Sequence, residues 1–110
     1  MKKRWTVQDR YGNSIYLTEE RWQHILASRP ELELLLEEFL DTLRLGSRTQ
    51  NALIPNEYRY AKYFSELLPE NNHLVAIILF KTLIDENGHY LANNFVVTGW
   101  AKYIVPKYGL

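Results

Sequence analysis

Six side chains in this chain offer acid–base or phosphate-binding chemistry: His24, Arg59, Tyr60, Lys62, Lys81 and Thr98. Cutting RNA without a metal needs a base for the 2′-hydroxyl, an acid for the leaving 5′-oxygen and cations around the charged phosphorane. Histidine suits the proton transfers because the ordinary imidazole titrates near neutrality. Arginine and lysine on neighbouring strands stabilise charge that grows on phosphate oxygens. A threonine hydroxyl donates one more hydrogen bond. Each residue also has a plainer reading. A histidine at the edge of a helix often only caps or packs. Arg59 and Lys62 point to opposite faces of a regular strand, so only a twist or bulge would let both line one site. Lys81 closes an apolar run, where a lysine either snorkels at the strand end or enters a site. Thr98, in Val96-Val97-Thr98-Gly99, is by itself an ordinary strand residue.

These residues must be positioned by the elements around them. Trp5, Val7, Ile15 and Leu17 flank Tyr11-Gly12-Asn13, which reads as a hairpin over 4–17. Thr18 is a good N-cap, and Glu19 and Glu20 suit the first turn of the helix after it. In that helix Trp22, Ile25 and Leu26 form one apolar face, with His24 at its edge. Pro30 suits the start of a second helix, in which Leu32, Leu35, Leu36, Phe39, Leu40 and Leu43 keep helical spacing up to a C-cap at Gly46. Glu31, Glu33, Glu37, Glu38 and Asp41 form its solvated side.

After Gly46 the period changes to two. The pattern predicts a short strand over 51–54, a second over 57–65, a loop over 67–72, and a central strand over 73–83. The last is a near-continuous apolar run, as expected when both faces are covered. Asn87-Gly88 marks a turn into a further strand over 89–100. The segment 102–110 is a polar, aromatic tail or edge strand. Helices followed by strands predict an α+β fold.

The 110 residues fit one domain. Thirteen basic and thirteen acidic residues balance, which argues against a broad nucleic-acid grip but leaves room for a local basic cleft. The absence of cysteine excludes disulfides and thiolate metal sites. His73 and His89 come without HExxH or a carboxylate cluster, and there is no GxGxxG, P-loop or GxSxG, so neither metal nor cofactor is expected. The basic start Met1-Lys2-Lys3-Arg4 is followed by no apolar run, so the expectation is a cytoplasmic protein without a signal peptide.

The segment Leu17-Thr18-Glu19-Glu20-Arg21-Trp22-Gln23-His24-Ile25-Leu26, followed by Arg29-Pro30-Glu31-Leu32, resembles the phage-type branch of the barnase/EndoU/colicin/RelE-like (BECR) nuclease superfamily. So do the basic, aromatic strand Tyr58-Arg59-Tyr60-Ala61-Lys62-Tyr63, the apolar strand ending in Lys81, and Val96-Val97-Thr98 in the last strand. The resemblance spans roughly residues 17–101. It implies an N-terminal hairpin and two helices on a four-stranded antiparallel sheet. It implies metal-independent RNA cleavage, as the toxin of a toxin–antitoxin pair or a prophage effector with a cognate antitoxin. It also implies His24, Arg59, Lys62, Lys81 and Thr98 as catalytic residues. The alternative is a binding module that kept the fold and lost the chemistry, with its tyrosines and tryptophans serving a protein interface. A cleft joining His24 to Lys81 would separate the two.

Overall fold

The computed structural model describes residues 3–106. Its elements are β1 (Arg4–Gln8), β2 (Ser14–Thr18), α1 (Glu19–Ser28), a 3₁₀ turn (Pro30–Leu32), α2 (Leu36–Leu45), β3 (Ser47–Gln50), β4 (Glu57–Leu68), β5 (Asn71–Ile84) and β6 (Tyr90–Lys102). The α+β class expected from the sequence is present. The sheet, however, has six strands in the order β1-β2-β6-β5-β4-β3 rather than four. It is mixed rather than antiparallel, because β2 joins β6 in parallel through Ile15 opposite Asn94 and Tyr16 opposite Phe95. Side chains reinforce that junction. Asn94 Nδ2 donates to the Ser14 carbonyl at 3.0 Å, and the Tyr16 hydroxyl donates to Asn93 Oδ1 at 3.0 Å.

Local chemistry explains most boundaries. The turns 9–13 and 85–89 follow one recipe, Asp-x-x-Gly-x. Asp9 Oδ1 accepts from the Tyr11 and Asn13 amides at 2.9 and 2.7 Å, and Asp85 Oδ1 accepts from the Asn87 and His89 amides at 2.9 and 2.8 Å. Gly12 and Gly88 take φ of 86° and 79°, which a side chain would disfavour. Thr18 Oγ1 accepts the Arg21 amide at 3.0 Å and caps α1. The single second helix expected from Pro30 is divided. Glu33 N bonds to the Pro30 carbonyl, and Leu35 N to that of Leu32, in three-residue steps before α2 begins. The change of step buries Leu32 and leaves Leu34 90% exposed.

Two expectations along the strands are also corrected. Residues 51–54 form a turn, because Asn51 Oδ1 accepts the Leu53 and Ile54 amides at 2.8 and 3.2 Å; the strand lies earlier, at Ser47–Gln50. The loop over 67–72 shrinks to Pro69 and Glu70, since Leu68 pairs with Asn71. The tail leaves the sheet after Lys102, with no regular structure over 103–106, and 107–110 lie outside the described residues.

One buried cluster joins Ile15, Leu17, Trp22, Ile25, Leu32, Phe39, Leu43, Tyr60, Leu74, Ile78 and Val96. α1 and α2 therefore cover one face of the sheet. β5 is central as expected, but it is not covered on both faces. Leu74, Ala76 and Ile78 turn to the helices and are buried, whereas on the other face Val75, in the row of Trp100, is buried but Ile77 and Leu79 are partly exposed. The turn between β1 and β2, residues 9–13, also bends toward β4 on the helix side. There the Tyr60 hydroxyl donates to buried Asp9, and Arg10 Nη1 donates to the Leu45 carbonyl at 2.9 Å. Among the described residues no helix is long and apolar enough to cross a membrane.

Candidate functional site

The face opposite the helices carries Arg59, Lys81, Thr98 and Trp100. Strand register sets its rows. Thr49 is opposite Arg59, Arg59 opposite Ile77, and Ile77 opposite Thr98. The next row runs Ser47, Ala61, Val75, Trp100, and the row beyond it Tyr63, His73, Lys102. Toward the other end lie Glu57, Leu79, Phe95 and Tyr16.

A bulge in β6 makes this face possible. Ile77 pairs with Thr98 but Ile78 pairs with Val96, so Val97 is an extra residue. Simple alternation would put Phe95 and Thr98 on opposite sides; the bulge resets it and brings Phe95, Thr98 and Trp100 to one side. Gly99 turns to the helices, where an added Cβ would stand 2.9 Å from the Val75 carbonyl oxygen and collide with the Phe39 ring.

Two aromatic centres stand on the open face. At the first, the guanidinium carbons of Arg59 and Arg29 lie 5.5 and 5.9 Å from the centre of the Trp100 ring. Arg29, at the end of α1, reaches this ring from beside β6. An adjoining cleft of about 260 Å³ is lined by Thr49, Gln50, Asn51, Glu57, Arg59, Ile77 and Trp100. Glu57 is its one carboxylate, and Asn51 Nδ2 donates to Glu57 Oε2 at 2.6 Å. At the second centre, the Tyr16 and Phe95 rings are 6.0 Å apart. Arg4 lies 4.4 Å from the Tyr16 ring and Lys81 5.9 Å from the Phe95 ring. Arg21 lines a shallow groove there with Tyr16, Thr18, Phe95 and Val96. At the far row, burial holds the His73 imidazole below its usual range and the neighbouring Lys102 charge adds to this.

The residues singled out from the sequence separate on this map. Arg59 and Thr98 share one row. Lys81 is on the same face, four positions along β5 from Ile77, or about 13 Å at the usual strand rise. His24 is exposed on α1, in a depression lined by Thr18, Glu20, Arg21 and Gln23. It lies one turn after Arg21, which reaches the second centre, and precedes Arg29, which reaches the first. His24 and Lys81 do not share any of these clefts. Lys62 turns to the helix side, with its ammonium 4.1 Å from the Phe64 ring and donating to the Tyr63 carbonyl at 3.3 Å. Tyr60 is fully buried on that side. Burial and its bond to Asp9 push its phenol well above the usual range. Neither Lys62 nor Tyr60 belongs to the open face.

Sequence reading missed Trp100, Arg29, Glu57, Tyr16 and Phe95. The signal available was the apolar alternation of both faces of β5, which was read as double burial. The balanced charge also hides a segregation. Arg4, Arg21, Arg29, Arg59, Lys81 and Lys102 line or border the open face, while Glu31, Glu33, Glu37, Glu38 and Asp41 lie along the 3₁₀ turn, α2 and the residues between them, where Arg44 pairs with Asp41 and Glu37. Among the described residues no three His, Cys, Asp or Glu side chains converge as a metal-ligand set would. The chain matches no protein-family model, no curated protein and no solved structure.

Proposed function

We propose that this chain is a metal-independent endoribonuclease-like domain of the toxin type, as its resemblance to the BECR superfamily implies. The observation that carries this reading is the shared row of Arg59 and Thr98 on the sheet face away from the helices, beside Trp100. Arg59 and Thr98 hold the non-bridging oxygens of one phosphate and stabilise the charge that grows there. The ribose 2′-oxygen attacks the adjacent phosphorus and the bond to the 5′-oxygen breaks. Glu57 takes the 2′-hydroxyl proton, and His24 gives a proton to the leaving oxygen. The products are a 2′,3′-cyclic phosphate and a 5′-hydroxyl. Lys81 steers the strand from further along the face. Lys62 has no part in it. A cognate antitoxin would act by covering this face.

A DNA oligonucleotide carrying a single ribose tests the chemistry. Cutting should occur only 3′ to that ribose, persist in EDTA, and fall by roughly 10²–10⁴ in His24→Ala with the fold intact. Cutting of the all-deoxy strand, or loss of activity in EDTA, would overturn the mechanism. The second reading, a binding module without chemistry, is favoured by the separation of His24 from Lys81. No cleavage by the parent chain would select it, whereas cleavage unchanged in His24→Ala would remove His24 from the mechanism.

A further inference from the structure

We infer that the open face binds a single strand of RNA, unstacked and splayed, with one base on Trp100 and another on the Tyr16–Phe95 pair. This rests on the proposed function for the choice of RNA; the two-centre geometry stands without it.

The argument begins with the distance between the rings. Phe95 and Trp100 are five positions apart with one bulged residue between them, which leaves four regular rises, about 13 Å. Successive bases in a stacked strand step by only about 3.4 Å. Neighbouring stacked bases therefore cannot occupy both centres. A duplex cannot serve them either, because its base faces are hidden in the stack. A single strand of three or more nucleotides, opened so that bases reach the sheet, can reach both rings.

Charge is placed to match. Each centre has its own cations, Arg29 and Arg59 at Trp100, and Arg4 and Lys81 at Tyr16 and Phe95. Aromatic rings bordered by guanidinium and ammonium groups suit base stacking and phosphate neutralisation together. Among the described residues that line these two clefts, Glu57 is the one carboxylate. The centres also differ in polarity. Thr49 lines the cleft beside Trp100 and can hydrogen-bond a base edge, while Asn51 is held by Glu57, Leu53 and Ile54 and Gln50 Nε2 by the Pro55 carbonyl; at the other centre the Tyr16 hydroxyl is engaged by Asn93.

The test uses fluorescein-labelled 2′-O-methyl oligonucleotides of one to six residues, which lack the 2′-hydroxyl nucleophile, with anisotropy as the readout. Affinity should step upward once three to five nucleotides span both centres, and a duplex of the same sequence should compete at least tenfold more weakly. Phe95→Ala and Tyr16→Ala, at partly exposed positions, should each weaken the hexamer by roughly five- to hundredfold and remove the step in affinity with length. Melting curves confirm that each variant is folded. A smooth rise of affinity with length, equal competition by duplex, or folded variants with unaltered hexamer binding would overturn the inference. Stepped binding without cleavage of the matching ribo-oligonucleotide supports it while removing the nuclease reading. Cleavage without the step does the reverse.

Discussion

Phe95 and Thr98 face the same side of β6 although an odd number of positions separates them. The bulge at Val97 is the cause. It also turns Gly99 to the helices and Trp100 to the open face, so one inserted residue sets the aromatic centres, the hydroxyl and the site for the Phe39 ring.

Gly99→Ala should destabilise the fold by about 1–3 kcal/mol, the usual cost of overpacking, because the new Cβ enters the space of the Phe39 ring. Phe39→Ala alone should cost about 3–5 kcal/mol, since the ring is fully buried. Phe39→Leu combined with Gly99→Ala should cost less than the sum of the two single changes, because the smaller side chain makes room. Denaturant melts of the single and double variants check this, and strict additivity would place the clash elsewhere.

Arg59→Ala should lower RNA cleavage by roughly 10²–10³, as removal of one donor from the developing charge does. Lys62→Ala, only three positions along the same strand, should change it by no more than about threefold, because that ammonium lies on the helix side against Phe64. Single-turnover rates on one oligonucleotide compare them. Equal losses would mean that both cations reach the phosphate.

Glu57→Gln should remove cleavage by roughly 10²–10⁴ while leaving binding of a 2′-O-methyl hexamer unchanged, because the amide keeps its contact with Asn51 but cannot accept the proton. Matched anisotropy and rate measurements decide it. A loss of binding equal to the loss of rate would make Glu57 a binding residue only.

Asp9 gives the fold an acid limit. Burial pushes its carboxyl upward, but hydrogen bonds from Tyr60, Asn13 and Tyr11 outweigh this and hold it below the ordinary value. A depressed folded-state pKa contributes stability that is present above the unfolded value of about 3.9 and is lost as pH falls through the folded value. Tm should therefore be flat across neutral pH and fall below about pH 4. Tyr60→Phe removes a hydrogen bond to a buried charge and should cost about 1.5–3 kcal/mol at pH 7, with a smaller further loss on acidification. Urea titrations at pH 7 and pH 3.5 measure both effects; an acid loss as large in Tyr60→Phe as in the parent would remove Tyr60 from the account.

What could be read from the residues alone was local. The first hairpin, the Thr18 cap, the apolar stripe of Trp22 and Ile25, the Gly88 turn and the central place of β5 follow from spacing and turn chemistry, which act over a few residues. That Arg59 and Lys62 diverge followed from the two-residue period. The rest depended on contacts distant in the chain. The parallel pairing of Tyr16 with Phe95 joins residues 79 positions apart, and it is what adds the hairpin to the sheet. The apolar run 74–80 looked the same whether its second face was covered by helices or left to solvent, since burial is a property of neighbours. Periodicity also could not place Thr98 beside Arg59, because a bulge shifts phase without altering composition. Arg29 and Trp100 meet only because α1 runs beside β6, a packing decided by where the core closes.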